Sequence, residues 1–414
     1  MRFISLYAFP VIFFASVQIV AVPLVISRYG LDFFGSISVG QAAGALILVF
    51  ADFGFSGIGP SRAASVKLFQ LKSYYFHSLK VRLLFQPIAL SVGILIPFVF
   101  RVPSPWLAAF ASFPIILLAL SSTWLFTGLQ SPGTSILVDT LPRAIFSAFG
   151  LFLLWSAAPV WMFFAAQSAG IFAAVISTYL LFKFSDKSEI QGEETHQVPL
   201  ENVRKLTAQI GSAQVVGTIF TSLPLIVAPL FLGINQLAFF AFFDKLIRWG
   251  MLIMWPFLQW GNGLVVRASL SEKRIIIHRS VYAGIVVLLI SPFAALFGTE
   301  ILTHGSIQFG LTELSALGLI LGIWVIGTIG GFVLINMHRR KEILLGNIYG
   351  ALAFLCLFWT ATNLWGYIGA ILVLLVAFSA ANLTLFFESR RSLRAGSPKR
   401  GKFGSNYEIS KPKQ

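Results

Sequence analysis

About twelve stretches of roughly 20 apolar residues, with little between them, decide what this chain can fold into. They run over 5–27, 35–58, 82–100, 106–129, 137–158 and 161–184, then 206–231, 237–264, 279–298, 313–335, 343–363 and 366–387. Hydrocarbon offers no partner for a free backbone N–H or C=O, so segments of this kind cross a bilayer as helices. The reading is an all-α, polytopic integral membrane protein of about 12 transmembrane helices. Composition closes off the soluble alternatives: 57% of residues are hydrophobic and 11% charged, against roughly 25% charged in ordinary soluble domains. No connection is long enough for a folded extramembrane domain. The first span is too long for a removed signal peptide and lacks a small-residue cleavage site.

The chain is strongly basic, with a net charge of +15 and a pI near 10.1. With the N-terminus placed in the cytoplasm, 26 of the 30 Lys and Arg fall in the cytoplasmic connections and termini. Only Arg28 and Arg101 fall outside, and Lys245 and Arg248 lie within a span. Such a bias sets orientation and predicts both termini inside. In a soluble protein the same excess would suggest nucleic acid; here it is read as topology, and no nucleic-acid partner is expected. The tail, residues 389–414, carries eight Lys and Arg against one acid and is expected to lie on anionic lipid head groups.

The polar stretch 185–205 cuts the chain near its middle, leaving six spans on each side. The expected organisation is two six-helix bundles, 1–184 and 206–388, joined by a cytoplasmic linker at 185–205 and followed by the basic tail. Six is even, so both halves enter the membrane in the same direction, as a parallel repeat requires. A weak echo agrees: RYGLDFFGSISVGQA from Arg28 and FLGINQLAFFAFFDK from Phe231 are offset by 203 residues. It pairs Gly30 with Gly233, Asp32 with Asn235 and Gln41 with Asp244. Any short outer loop between two helices gives a similar pattern, so the equal span count is the stronger argument.

Catalytic chemistry is missing. The sequence holds no P-loop and no H-E-x-x-H. Its five histidines are scattered over connections, and its one cysteine, Cys356, allows neither an intramolecular disulfide nor a thiol metal cluster. The outer loops are too short for the catalytic loop of a membrane polymerase or acyltransferase. The reading is a protein that moves something, not an enzyme, with no cofactor or metal.

Ionisable residues inside spans are costly and therefore functional candidates. Asp52 sits in VFADFGFSGIGPSR, at the cytoplasmic end of its span and within reach of Arg62. Asp244, Lys245 and Arg248 sit in FFDKLIRWG. Asp244 and Arg248 are four apart on one helix face and can pair, which leaves Lys245 with no local partner. Prolines 10, 23, 87, 97, 224, 229 and 256 interrupt spans, and Gln18, Gln209, Gln214, Thr218, Thr221, Ser222 and Gln259 add polar groups. Such groups either line a cavity or glue helices together. Their grouping in spans one, two, seven and eight favours a polar cleft between the halves.

Four stretches carry a family likeness: VPLVISRYGLDFFGSISVGQA, LVFADFGFSGIGPSRAA, SSTWLFTGLQ and PLFLGINQLAFFAFFDKLIRWGMLIMWPFLQWGNGLVVR. In order and spacing the chain resembles the Wzx-type polysaccharide (O-antigen) flippases, in the polysaccharide transporter branch of the multidrug/oligosaccharidyl-lipid/polysaccharide (MOP) exporter superfamily. The tail is not covered. The resemblance implies a V of two six-helix bundles in the bacterial cytoplasmic (inner) membrane. It implies transfer of undecaprenyl-pyrophosphate-linked oligosaccharide to the outer leaflet by alternating access, for O-antigen, capsule or exopolysaccharide. Expected partners are membrane lipids and the polymerase and chain-length regulator of the same pathway. Lys245, Arg248, Arg28, Arg62 and Arg143 are the candidates for the anionic head group, and Asp52, Asp139 and Asp244 for proton or sodium coupling. Three rival readings stay open: a MATE-like drug or cation exporter, a membrane enzyme of polysaccharide assembly, and a non-transporting scaffold for an assembly complex with the basic tail as its dock.

Overall fold

The computed structural model describes residues 2–65, 68–184, 200–303, 305–337 and 339–395. The linker expected at 185–205 falls mostly outside the described residues, as do the tail beyond Ala395 and the side chain of Arg62. The regular elements of the described residues are all helices. In order the helices are α1 (Arg2–Tyr29), α2 (Leu31–Ala51), α3 (Phe55–Ser65), α4 (Leu68–Val99), α5 (Pro105–Leu117), α6 (Thr123–Gly128) and α7 (Pro132–Ser135). They continue with α8 (Leu141–Trp155), α9 (Val160–Phe184), α10 (Leu200–Val227), α11 (Ile234–Arg267), α12 (Leu270–Thr303), α13 (Leu311–Asn336) and α14 (Arg340–Ala395).

Nine helical segments among the described residues are long and apolar enough to cross a membrane. One of them, α14, is 56 residues long and folds back at Gly366, whose φ of 57° and ψ of −138° leave the helical region. It therefore supplies two passes. The helices α10 and α11, 28 and 34 residues long, complete twelve passes. The fold is an all-α polytopic membrane protein.

Several helices differ from the expected spans. The third span was expected to begin at Arg82, but α4 starts 14 residues earlier and runs 32 residues, about 48 Å. Arg82 was therefore placed wrongly in a connection: it lies within α4 and is fully enclosed. The fourth span is discontinuous. After α5 comes one 3-10 turn, Leu118–Leu120, and a non-helical pair, Ser121 and Ser122, before α6. The fifth span contains a π-turn, Ile136–Thr140, around Asp139. The last helix continues through Ala395, so the first seven residues assigned to the tail are helical.

Small residues set the packing within each half. A β-carbon on Gly40 of α2 would lie 2.0 Å from the Ala108 carbonyl oxygen of α5. Gly284 of α12 and Gly322 of α13 face each other in the same way, each β-carbon position within 2.8 Å of the other's carbonyl oxygen. Close backbone approach of this kind is the usual route to helix association in lipid, where no hydrophobic force separates helix from solvent. Helices α1 to α9 pack together, as do α10 to α14, and the two groups meet chiefly through α1 and α2 against α10 and α11. One apolar core runs across this seam, joining Phe34, Ile37 and Val39 to Leu237, Phe242 and Phe243.

The echo has a spatial counterpart. Helices α2 and α11 run in the same direction from the same end of the molecule. Gly35 packs on Ala238, which is its equivalent at the offset of 203 residues, with a β-carbon on Gly35 reaching 3.7 Å from Ala238 Cα. Equivalent residues can touch only near an axis that relates the two halves.

Candidate functional site

A cavity of about 500 Å³ lies between the halves, toward the end of the molecule where α1 begins and α14 ends. The first half contributes Leu48, Val49, Asp52, Ser56 and Leu118, and the second contributes residues of α10, α11, α13 and α14. Two kinds of side chain matter. Ser56, Gln214, Thr218, Thr221, Thr328, Asn347 and Asn382 bring uncharged hydrogen-bonding groups, and Phe220, Trp324 and Phe378 bring aromatic faces. Among the lining residues the one charged side chain is Asp52.

Their positions follow from the helices. Thr218 and Thr221 hold their hydroxyls against backbone carbonyls one turn back, at Gln214 (2.8 Å) and Gly217 (3.2 Å). Asn382 donates to Phe378 O at 2.9 Å. A side chain that donates to its own helix keeps acceptor capacity for a ligand. Asp52 caps the end of α2 and accepts from Ser56 N at 2.8 Å and Ser56 Oγ at 2.6 Å. The local polar partner of Asp52 is therefore the next helix start.

The structure gathers three of the expected residues. Arg248 donates to Asp244 at 2.6 Å and to the carbonyl of Thr221, a lining residue, at 2.8 Å. It stands at the edge of the cavity, on the side away from the start of α1 and the end of α14. Lys245, one turn closer to the far end, donates to Gln41 Oε1 of α2 in the other half. The ammonium that had no local partner finds one 204 residues away.

The other candidates sit elsewhere. Arg28 donates to the carbonyls of Leu154 and Trp155 and so closes the C-terminal end of α8. Arg143 pairs with Asp139 at 2.9 Å and lies over the Phe14 ring at 4.7 Å. Asp139 also accepts from Ser121 Oγ at 2.8 Å and Thr123 Oγ1 at 2.9 Å, which ties the break between α5 and α6 to the π-turn. Neither Arg28 nor Arg143 lines the cavity.

Sequence reasoning missed Trp324, Thr328, Asn347 and Asn382 at the cavity and Arg82 behind it. Asn347 and Asn382 carried a signal, since each is an amide within an apolar span. Arg82 donates to Ala119 O, Ser121 O (3.0 Å) and Ser78 O (3.2 Å), with Phe55 and Trp124 rings at 5.4 and 5.7 Å. Its guanidinium takes up the carbonyls that the broken helix leaves open.

Solved structures show where this architecture recurs. An inward-facing multidrug-resistance MATE transporter of the MOP superfamily aligns with a TM-score of 0.66 at 12% identity, over 92% of this chain and 95% of that one. The chain shares the MATE fold. An outward-facing MATE transporter of the same superfamily aligns at 0.61 and 13% identity, over 96% and 97%. A MOP superfamily transporter from Pyrococcus furiosus, described as having a binding pocket of reverse polarity, aligns at 0.64 and 12%, over 95% and 96%. No family profile and no curated relative matches the chain.

Proposed function

We propose that this protein is a carrier of the MATE fold that moves an undecaprenyl-pyrophosphate-linked oligosaccharide across the bacterial cytoplasmic membrane by alternating access, for surface polysaccharide. The lining of the cavity carries this reading. Seven neutral hydrogen-bonding side chains beside three aromatic rings match the hydroxyls and apolar faces of sugar rings. Arg248, on the carbonyl of the lining residue Thr221, stands at its deep edge, where an anionic phosphate would need a cation, and Lys245 lies one turn beyond, held by Gln41 until the seam parts. The Lys and Arg bias of the connections supports a cytoplasmic position for both termini, and with them for this cavity. A carrier and not an enzyme fits the short outer loops.

The MATE-like alternative has its own observation: Asp52, the charged side chain of the lining, would bind a cationic drug. The Pyrococcus protein, with its pocket of reverse polarity, supports the view that this fold does not by itself fix the sign of the cargo. Of the three coupling candidates, Asp52 alone reaches the cavity, while Asp139 and Asp244 each hold an arginine.

Proteoliposomes separate the two. Purified protein is expected to expose lipid-linked oligosaccharide to a lectin added on the far side, and to show no ethidium efflux. Replacing Lys245 and Arg248 together by Gln should stop that exposure while the protein stays folded. Ethidium efflux that is lost in Asp52→Asn, with no movement of the oligosaccharide, would overturn the reading in favour of the exporter.

A further inference from the structure

The far end of the seam holds a device that the carrier reading does not require by itself. Beyond the cavity, α2 and α11 close on each other through apolar groups. The Phe34 and Phe242 rings stand 5.9 Å apart, and Gly35 lies on Leu237 and Ala238. Leu237, Ala238, Phe240 and Phe242 are all buried. Between this apolar closure and the cavity, among the described residues, a polar contact runs from half to half, the Lys245 ammonium on the Gln41 carbonyl oxygen. Gln41 is seven residues from Leu48 of the lining, about 10 Å along α2. Asp244 and Arg248 back the ammonium from its own helix, and Arg248 is anchored in turn to Thr221 of α10.

We infer that Gln41 and Lys245 form a bolt that holds the far side of the carrier shut, with Gln41 as the positioning residue. Three features make the contact a bolt and not ordinary helix glue. It joins the two halves, whereas the hydrogen bonds of Thr218, Thr221 and Asn382 stay within one helix. It sits on the near-axis pair of helices, where separating the halves at the far end must break it. And it involves a cation, so the strength of the closure depends on what Gln41 offers. A carboxylate there would tighten it and an alkyl group would release it, because a charged hydrogen bond is worth more than a neutral one and an unpartnered buried ammonium is costly. In this state the ammonium is engaged and unavailable to cargo; it is presented once the seam parts.

The inference builds on the carrier reading but is tested without any cargo. Cys356, exposed on α14, is replaced by Ser and Leu237, buried at the seam, by Cys. In lipid nanodiscs the labelling rate of Leu237→Cys by a water-soluble maleimide reports opening of the far side. Gln41→Leu is expected to raise the rate by about tenfold, the scale of one charged hydrogen bond, and Gln41→Glu to lower it by a similar factor. Adding Lys245→Gln to Gln41→Glu should restore fast labelling. Loss of packing would raise the rate in both Gln41 variants, so a shift in the same direction, or no shift in either, overturns the bolt. If these rates behave as expected while the oligosaccharide is not moved, the bolt stands and the cargo assignment falls.

Discussion

Asp139 was expected as a coupling residue, yet its surroundings are those of a structural counter-ion, and the two roles give opposite results in one double-mutant cycle. The carboxylate is 1% exposed and the Arg143 side chain 17%. Three donors converge on it within 2.9 Å: Arg143, Ser121 and Thr123. Removing one partner of a buried pair costs about 3–5 kcal/mol because the other charge is stranded. Water reaching Arg143 relieves part of that, so Asp139→Ala is expected to cost about 2–4 kcal/mol. Arg143→Met should cost less, since Ser121 and Thr123 still donate to the carboxylate. Each half is of the size at which 1 kcal/mol moves Tm by about 2–4 °C. The expected fall for Asp139→Ala is thus about 5–15 °C, read by fluorescence-detected size exclusion of heated, detergent-solubilised protein. The variant Asp139→Ala with Arg143→Met removes both charges and should recover more than half of that loss. Additive losses in the double variant, or single variants within about 2 °C of the parent, would refute the counter-ion argument. Transport separates the roles further: a counter-ion predicts that the double variant still moves cargo per folded molecule, and a coupling acid predicts that it folds but does not.

Three further outcomes are expected. Asp52→Asn should leave oligosaccharide movement largely intact, since Ser56 can still donate to the amide oxygen; a complete loss in the flipping assay would make Asp52 essential to that cargo. Gly40→Ala should cut the yield of folded protein in the membrane, because a methyl 2.0 Å from the Ala108 carbonyl oxygen forces α2 off α5, with overpacking penalties of about 1–3 kcal/mol or more. Normal yield and Tm would show that the two helices part freely. Arg82→Lys should lower Tm even though charge is kept, since one ammonium cannot reproduce the planar fork that reaches Ser78, Ala119 and Ser121; an unchanged Tm would mean that charge alone matters there.

What could be read from the sequence divides along a physical line. Helix existence was readable, because each span must satisfy its own backbone and so advertises itself by length and hydropathy. The pair Asp244 and Arg248 was readable for the same local reason, being one helical turn apart. The partner of Lys245 was not, since nothing local points to Gln41. Arg82 was misplaced because a charge within an apolar run reads as the start of a span, and only the carbonyls of a broken helix 37 and 39 residues on make its burial tolerable. The cavity was half visible: Gln214, Thr218 and Thr221 stood out as polar groups in a span, whereas Asn347, Asn382 and Trp324 could as well have been glue.

One long-range contact, however, was present in the sequence in disguise. The repeat offset of 203 residues was drawn from three pairs, Gly30 with Gly233, Asp32 with Asn235 and Gln41 with Asp244, and it said nothing directly about packing. Yet an axis relating two halves brings only its nearest residues onto their own equivalents, so the places where such pairs touch locate the axis. Gly35 against Ala238 is such a pair. Lys245 on Gln41 departs from it by one residue, since the equivalent of Gln41 is Asp244. At the position where strict symmetry would set Gln41 against an acid, the second half turns its acid to Arg248 and presents the neighbouring cation across the seam. The departure from symmetry therefore falls at the polar contact that joins the halves, while the touching symmetric pair beyond it, Gly35 and Ala238, is small and apolar. A closure built this way slides or separates easily at Gly35 and Ala238 and is fixed by what Gln41 and Lys245 do to each other.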